Sequence, residues 1–381
     1  MMADRGFWKG KKVLVTGHTG FKGSWLSIWL MELGAEVYGY SLDPYSELDN
    51  FVVSGLKDRM GDLRGDVRDF PFLLSVFTKY RPEIVFHLAA QPLVRLSYES
   101  PKDTYDINIG GTVNVLEAIR RTDSVKVGVL ITTDKCYENK EWIWGYREND
   151  PLGGFDPYSS SKGAAELVIA GYRSSFFHPE KFEVHGKAVA SARAGNVIGG
   201  GDWAKDRIVP DCIRALQAGK PIEVRNPEAT RPWQHVLEPL SGYLVLAEKM
   251  YENGPKYAGP WNFGPDNDAI VPVKTIAGHL IHLWGQGKWV DLSGPDSFHE
   301  AKLLALDCSK AKTILNWEPV LELDMALKFT VDWYKNYQNS NSYDLCREQI
   351  NAYTRLANHK KQLKTDFHKL YQEAAPARVD Y

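Results

Sequence analysis

Tyr158 and Lys162 are four residues apart at the start of a segment with helical period, which puts a phenol and an ammonium on one helix face. A phenol is nearly all protonated at neutral pH, and a nearby cation favours its phenolate. Such a pair suits removal of a hydroxyl proton while hydride leaves the same carbon. Thr132-Thr133-Asp134-Lys135 closes an apolar run, so a hydroxyl, a carboxyl and an amine arrive together at a strand end. Thr133 suits a hydrogen bond to the reacting hydroxyl. Asp134 and Lys135 add an acid and a cation that plain oxidoreduction does not require.

A third cluster, Thr16-Gly17-His18-Thr19-Gly20-Phe21-Lys22-Gly23, spaces glycines as G-x-x-G-x-x-G between an expected strand and helix. Glycine allows a tight turn, lets backbone N–H groups approach a pyrophosphate, and opens the helix dipole toward it. Asp43, about twenty residues on, suits the adenosine ribose hydroxyls. With no arginine next to it in sequence, it favours NAD over NADP, whereas Lys22 is a cation that pulls the other way. Asp66-Val67, after a third expected strand, is placed to touch the adenine.

These residues need a parallel sheet. Strands are expected at Lys12–Thr16, Glu36–Ser41, Ile84–His87, Val125–Thr133 and around Val184–Ala192, with helices at Gly23–Leu33, Asp69–Tyr80, Pro101–Arg121 and Tyr158–Phe177. This is an α/β, Rossmann-type doubly wound sheet. After Gly195 the texture turns to Gly, Pro, Trp and Asn punctuation, which suggests a smaller C-terminal lobe. Residues 1–194 are thus expected to form the dinucleotide-binding part, with 232–260 returning to it. Residues 195–231 and 261–340 are expected to form the lobe, and 341–381 a helical tail, either an oligomer arm or a solvated surface helix.

The 381 residues fit one large or two packed domains, and 44% apolar content provides a core. Forty-six Lys and Arg against 48 Asp and Glu give no basic field for nucleic acid or an anionic membrane. Cys136, Cys212, Cys308 and Cys346 lack paired spacing, which argues against disulfides and structural zinc. His279 and His282 have no third ligand candidate, so no metal site is expected. Without a membrane-length apolar run, a soluble, cytoplasmic protein is expected.

Thr16–Gly23, His87-Leu88-Ala89-Ala90-Gln91, Asn108, Thr133 and Tyr158/Lys162 resemble the nucleotide-sugar branch of the extended short-chain dehydrogenase/reductase superfamily. Asp134-Lys135, Ala194–Asp202 and Arg231–His235 resemble, within it, the 4,6-dehydratases that act on CDP-glucose. The likeness runs from about Lys11 to Tyr337. It implies NAD held by Gly17, Gly20, Phe21 and Gly23 at the pyrophosphate, by Asp43, Asp66 and Val67 at adenosine, and by Ala89, Tyr158 and Lys162 at the nicotinamide end. For a CDP-glucose-like substrate it implies Asn196 and Arg231 at the diphosphate, with Arg207 and Arg214 as weaker candidates. Trp233 and Trp203 would either shape the pocket or belong to the core.

The implied reaction is oxidation at C4 with Tyr158 as base, loss of the 6-hydroxyl with Asp134 as acid and a base near Lys135 at C5, then hydride return to C6. It also implies a homodimer or homotetramer and a place in making deoxysugars of surface polysaccharide. The related dTDP-glucose enzymes carry Asp-Glu at 134–135, so the C5 base stays open. A carboxyl acting as acid beside Lys135 conflicts with the pull of that cation unless the two side chains diverge. A nucleotide-sugar 4-epimerase, a reductase and a non-catalytic NAD-binding protein remain as alternatives.

Overall fold

β-branched and aliphatic runs bounded by Gly and Pro become strands buried on both faces, the pattern of a parallel sheet covered by helices. The computed structural model describes residues 2–294 and 303–374, with side chains through 366. Parts of the expected lobe (295–302) and tail (375–381) lie outside the described residues.

The strands, in chain order, are β1 (Lys12–Thr16), β2 (Glu36–Ser41), β3 (Gly61–Arg64), β4 (Ile84–His87), β5 (Val127–Ile131), β6 (Ala188–Ala194), β7 (Asn196–Ile198), β8 (Ile222–Val224), β9 (Thr230–His235), β10 (Gly259–Phe263), β11 (Ile270–Pro272) and β12 (Trp289–Asp291). Seven form one parallel sheet in the order β10-β6-β5-β4-β1-β2-β3. Strand order reverses between β1 and β4, the switch point at which open α/β sheets bind ligands beyond their carboxyl ends.

Alternation along β1 sends Val13 and Val15 to one core and Leu14 to the other. On the first face Trp25 and Trp29 of helix Phe21–Glu32 and Leu240 and Leu244 of helix Leu237–Asn253 cover the sheet. Helices Phe70–Tyr80, Gly111–Arg121 and Pro157–Ser175 cover the second with Phe77, Leu116 and Ile169. Each such side chain contributes about 1.5–3 kcal/mol when fully buried. β10 crosses the boundary expected at residue 260 and completes the main sheet beside β6.

Two elements differ from expectation. The strand expected from Val184 begins at Ala188, because Phe182–His185 makes one helical turn that Gly186 closes in the left-handed region (φ 62°). The long helix expected over Pro101–Arg121 carries a π-helical turn at Asp106–Gly110.

Beyond β6, β7 joins β9 and β11 in a small sheet, and β8 pairs with β12. Helix Ser342–Ala374 docks through buried Ile350 and Tyr353, and the Tyr343 hydroxyl donates to Glu32 at 2.7 Å. All four cysteines are free and buried. No helix among the described residues is long and apolar enough to cross a membrane.

Candidate active site

The glycine turn is built by steric necessity. Gly17 has φ +76°, and a Cβ there would lie 2.7 Å from the Ala89 nitrogen. A Cβ on Gly23 would lie 2.1 Å from the Gly17 carbonyl oxygen. Side chains at these positions would fill the cradle in which a pyrophosphate would sit. Gly20 caps the following helix without a side-chain bond, leaving its first-turn amides to a ligand. Behind the turn, Thr16 Oγ1 lies 2.7 Å from His87 Nδ1 and accepts from the Ala89 N–H at 3.3 Å, which ties β1 to β4. Burial pushes the His87 imidazole down to about 3, so it is neutral. The cradle fits a dinucleotide.

At the adenosine end an arginine does approach Asp43, from β3 and not from the neighbouring sequence. Parallel pairing sets Ser41 opposite Arg64, and Arg64 Nε lies 3.5 Å from the Asp43 carboxylate. Arg64 also donates to the Leu42 carbonyl at 3.0 Å and to Asp62 at 2.9 Å, and stands over the Phe51 ring. Asp62 in turn holds the buried His18 ring (Nε2 to Oδ1, 2.7 Å). The Asp66 carboxylate is engaged with Arg68, whose guanidinium holds it below its ordinary range. The Val67 side chain lies in the core against Gly111, so only its backbone faces outward chemistry.

The carboxyl end of β5 presents the reacting groups. Thr133 caps a short turn, Asp134–Cys136, and its hydroxyl donates to Asp134 Oδ1 at 2.9 Å. Asp134 is 1% exposed, and its Oδ2 has no hydrogen-bond partner among the described residues. Lys135 Nζ is 3.9 Å from Asp134 Oδ1, so the two side chains stay together rather than diverging.

Asp156 caps helix Pro157–Ser175 and so fixes where Tyr158 and Lys162 emerge. Burial drives the Tyr158 phenol up to about 12, while a hydrogen bond with Thr133 and the Arg207 charge pull it back. Arg207 is a cation near the phenol that the local Tyr158–Lys162 spacing does not reveal. Lys162 is buried, its Nζ 3.4 Å from the Ile131 carbonyl, and burial lowers its amine to about 8. Asn108, in the π-helical turn, accepts from the Gln91 N–H at 2.9 Å and donates to Ser161 Oγ at 2.8 Å, bracing the Tyr158 helix.

The lobe residues divide by what they touch. Arg207 pairs with Asp202 at 2.9 Å and acts on Tyr158, so it belongs to the reacting centre. Lys22, expected near a phosphate, feels Arg207, Asp134, Lys162 and Asp202, and its burial lowers the amine to about 7. Asn196 sits in β7 opposite Trp233. Arg231, in β9, donates to the Thr230 carbonyl at 2.9 Å. Trp233 is buried and its indole N–H donates to the Val271 carbonyl at 3.1 Å, so it supports the wall and offers the pocket no donor. Trp203 packs on Tyr334 and Tyr337, and Arg214 holds the carbonyls of Trp203 and Ala204. His279 pairs with Asp324 on the surface at 3.0 Å.

A parallel sheet with a glycine cradle at its switch point and a Tyr-x-x-x-Lys pair at the start of helix Pro157–Ser175 defines the dinucleotide-dependent short-chain dehydrogenase/reductase class. The chain belongs to the GDP-mannose 4,6 dehydratase family, whose model matches residues 14–254. It is 51% identical over 354 residues to a CDP-glucose 4,6-dehydratase of Salmonella typhimurium, covering 92% of this chain and 98% of that protein. Among solved structures it resembles UDP-glucose 4-epimerase of Thermotoga maritima (TM-score 0.72, 23% identity, 86% of this chain and 99% of that one). It also resembles dTDP-glucose 4,6-dehydratase of Bacillus anthracis in complex with NAD (TM-score 0.69, 21% identity, 88% of this chain and all of that one).

Proposed function

We propose that the protein converts CDP-glucose to CDP-4-keto-6-deoxyglucose with loss of water, using NAD as a recycled hydride carrier. The observation that carries this reading is Asp134. A buried carboxyl, with one oxygen unpartnered among the described residues, acts on Tyr158 of the oxidising pair, where a 4-epimerase needs no acid. The 51% identity to a CDP-glucose 4,6-dehydratase supports the substrate. Held by Gly17, Gly20 and Gly23 at its pyrophosphate, NAD would supply a hydride acceptor for C4 of the sugar and, once reduced, a hydride donor for C6.

Gly17, Gly20 and Gly23 form the pyrophosphate cradle, and Lys162 holds the nicotinamide ribose. Tyr158, reacting as the phenolate that the nearby Arg207 charge favours, takes the O4 proton as the C4–H bond breaks, leaving a 4-ketone. The ketone makes the C5 proton acidic. Lys135 beside Asp134 is the group that takes and returns that proton; as a base it is the neutral amine, so in the reacting form it sets no cation against the Asp134 acid. Asp134 gives its proton to the departing 6-hydroxyl, so water leaves, and reprotonation at C5 closes the cycle with the acid reset from solvent. Arg231 and Asn196 are assigned to the diphosphate, Arg231 because a planar guanidinium grips phosphate oxygens in pairs.

Residues 195–231 and the region after β10 are read as the nucleotide-sugar lobe. The setting proposed is cytoplasmic synthesis of deoxysugars for surface polysaccharide by a homodimer or homotetramer. Purified protein incubated with NAD and a panel of nucleotide-glucoses tests the reading. A 4-keto-6-deoxy product is expected from CDP-glucose. A 4-epimer as product, or net consumption of the cofactor, would overturn it.

A further inference from the structure

A carboxylate that the reaction above does not use lies directly beneath it. Glu166 is one turn beyond Lys162 on helix Pro157–Ser175, hence on the same face. Its Oε1 accepts from the Thr132 hydroxyl, and its Oε2 accepts from Ser191 Oγ and Arg193 Nη2, each at 2.7 Å. Both members of the Glu166–Arg193 pair are 3% exposed. Arg193 Nη1 donates in turn to the Tyr137 hydroxyl at 2.7 Å and the Glu148 carbonyl at 2.9 Å. One carboxylate thus joins the Lys162 helix to the end of β5 and to β6.

Stability alone does not account for it. A buried ion pair gains little over well-packed apolar residues of the same volume, because desolvation offsets the attraction. Thr132 precedes Thr133 and Asp134 in the chain, so the carboxylate also sets the register of the reacting turn.

We propose that Glu166, anchored by Arg193, is a positioning residue that keeps Lys162 charged and holds the end of β5 in place for the oxidation step. The inference rests on the reading of Tyr158 and Lys162 as the oxidising pair. The groups facing Lys162 support it. Burial pulls the amine down, and Glu166 is the strongest influence in the other direction, while burial pushes the Cys136 thiol up and leaves it neutral. Lys22, from the glycine-turn helix, is a like charge on Lys162. His87, on β4, is neutral. Tyr158, one turn earlier, is a protonated phenol. Arg193 pairs with Glu166 at 2.7 Å, and the carboxylate of that pair is the charge that acts on Lys162.

Glu166→Gln keeps the acceptor for Thr132 and removes the charge. Two measurements follow: the pH profile of 4-ketone formation in a single turnover, and titration of the Lys162 Nζ by nitrogen-15 NMR, assigned with Lys162→Met. Both midpoints are expected to move toward acid by roughly one pH unit or more. Glu166→Gln/Arg193→Met, which leaves no buried cation unpaired, is expected to show the same shift with a native circular-dichroism spectrum, and it decides the matter if the single variant does not fold. A rate lowered equally at every pH with the Nζ midpoint unmoved would reduce Glu166 to a structural brace and overturn the proposal. Full ketone formation by Tyr158→Phe would instead sink the underlying reading, whatever Glu166→Gln shows.

Discussion

Gly195 offers the sharpest separation of the two halves of the reaction. A methyl on its Cα would stand 2.9 Å from Asp134 Oδ2 and 3.1 Å from Pro232 Cγ, where ordinary contact begins near 3.4 Å. In Gly195→Ala one of these neighbours must therefore give by about 0.5 Å. Pro232 is held in the β9–β11 ladder opposite Ile270, and its ring has little freedom. Asp134 is tethered at Oδ1 by the Thr133 hydroxyl, while Oδ2 is unpartnered among the described residues, so its carboxyl rotates away. If misplacing a reacting group by 1 Å costs about 100-fold, half that displacement costs about tenfold, or about 1.4 kcal/mol in the barrier to water loss. The overpacking itself destabilises the fold by about 1–3 kcal/mol. Rapid quench of a single turnover, with mass separation of the 4-keto-glucose and 4-keto-6-deoxyglucose nucleotides, reads the two steps apart. Water loss is expected to slow with ketone formation unchanged, since the three atoms nearest the added methyl belong to Asp134 and Pro232. Equal slowing of both steps, or of neither, would refute the placement of Asp134 as the acid.

Asp134→Asn keeps the acceptor for Thr133 but cannot donate an acidic proton, so water loss should fall about 10²- to 10⁴-fold in the same assay while the 4-ketone accumulates. Gly23→Ala drives a methyl into the Gly17 carbonyl and should weaken NADH binding by at least about tenfold, as calorimetry would show; unchanged affinity would contradict the cradle. Glu238 gives a pH prediction for stability. Buried in helix Leu237–Asn253, it accepts from the N–H groups of Val320 and Leu321 and from the Tyr353 hydroxyl, and burial raises its carboxyl from 4.5 to about 7. The folded form therefore binds a proton that the unfolded chain releases above its lower value. This contribution is full below about pH 4.5, declines as pH rises, and is gone above about 7, a change on the order of 3 kcal/mol. Denaturant melts of Glu238→Gln should show this part of the pH dependence flattened.

The strands β1, β2 and β4 are legible to the residue in sequence, because apolar runs bounded by Gly and Pro leave little choice of register. The π-helical turn at Asp106–Gly110 is not, since its helical period continues on both sides; the pair Gly110-Gly111 is its one local sign. Tyr158, Lys162, Thr133 and Asp134 are legible as a group because their spacings are local and their strand ends converge at one edge of the sheet. Arg64 escapes that reasoning. Its approach to Asp43 depends on the pairing of β2 with β3, which links residues more than twenty apart. The same holds for Lys22, whose buried amine feels Arg207 and Asp134, and for Arg193, which reaches from β6 to Glu166 on helix Pro157–Ser175. Contacts between elements far apart in the chain record tertiary register, and no periodicity in the chain announces it.

The central claim is that one hydride leaves C4 and returns to C6 of the same sugar while Asp134 expels the 6-hydroxyl. CDP-glucose carrying deuterium at C4 tests it directly. The account predicts CDP-4-keto-6-deoxyglucose with that deuterium in its C6 methyl group. Product with an unlabelled methyl group, or label retained at C4 of an epimer, would contradict it.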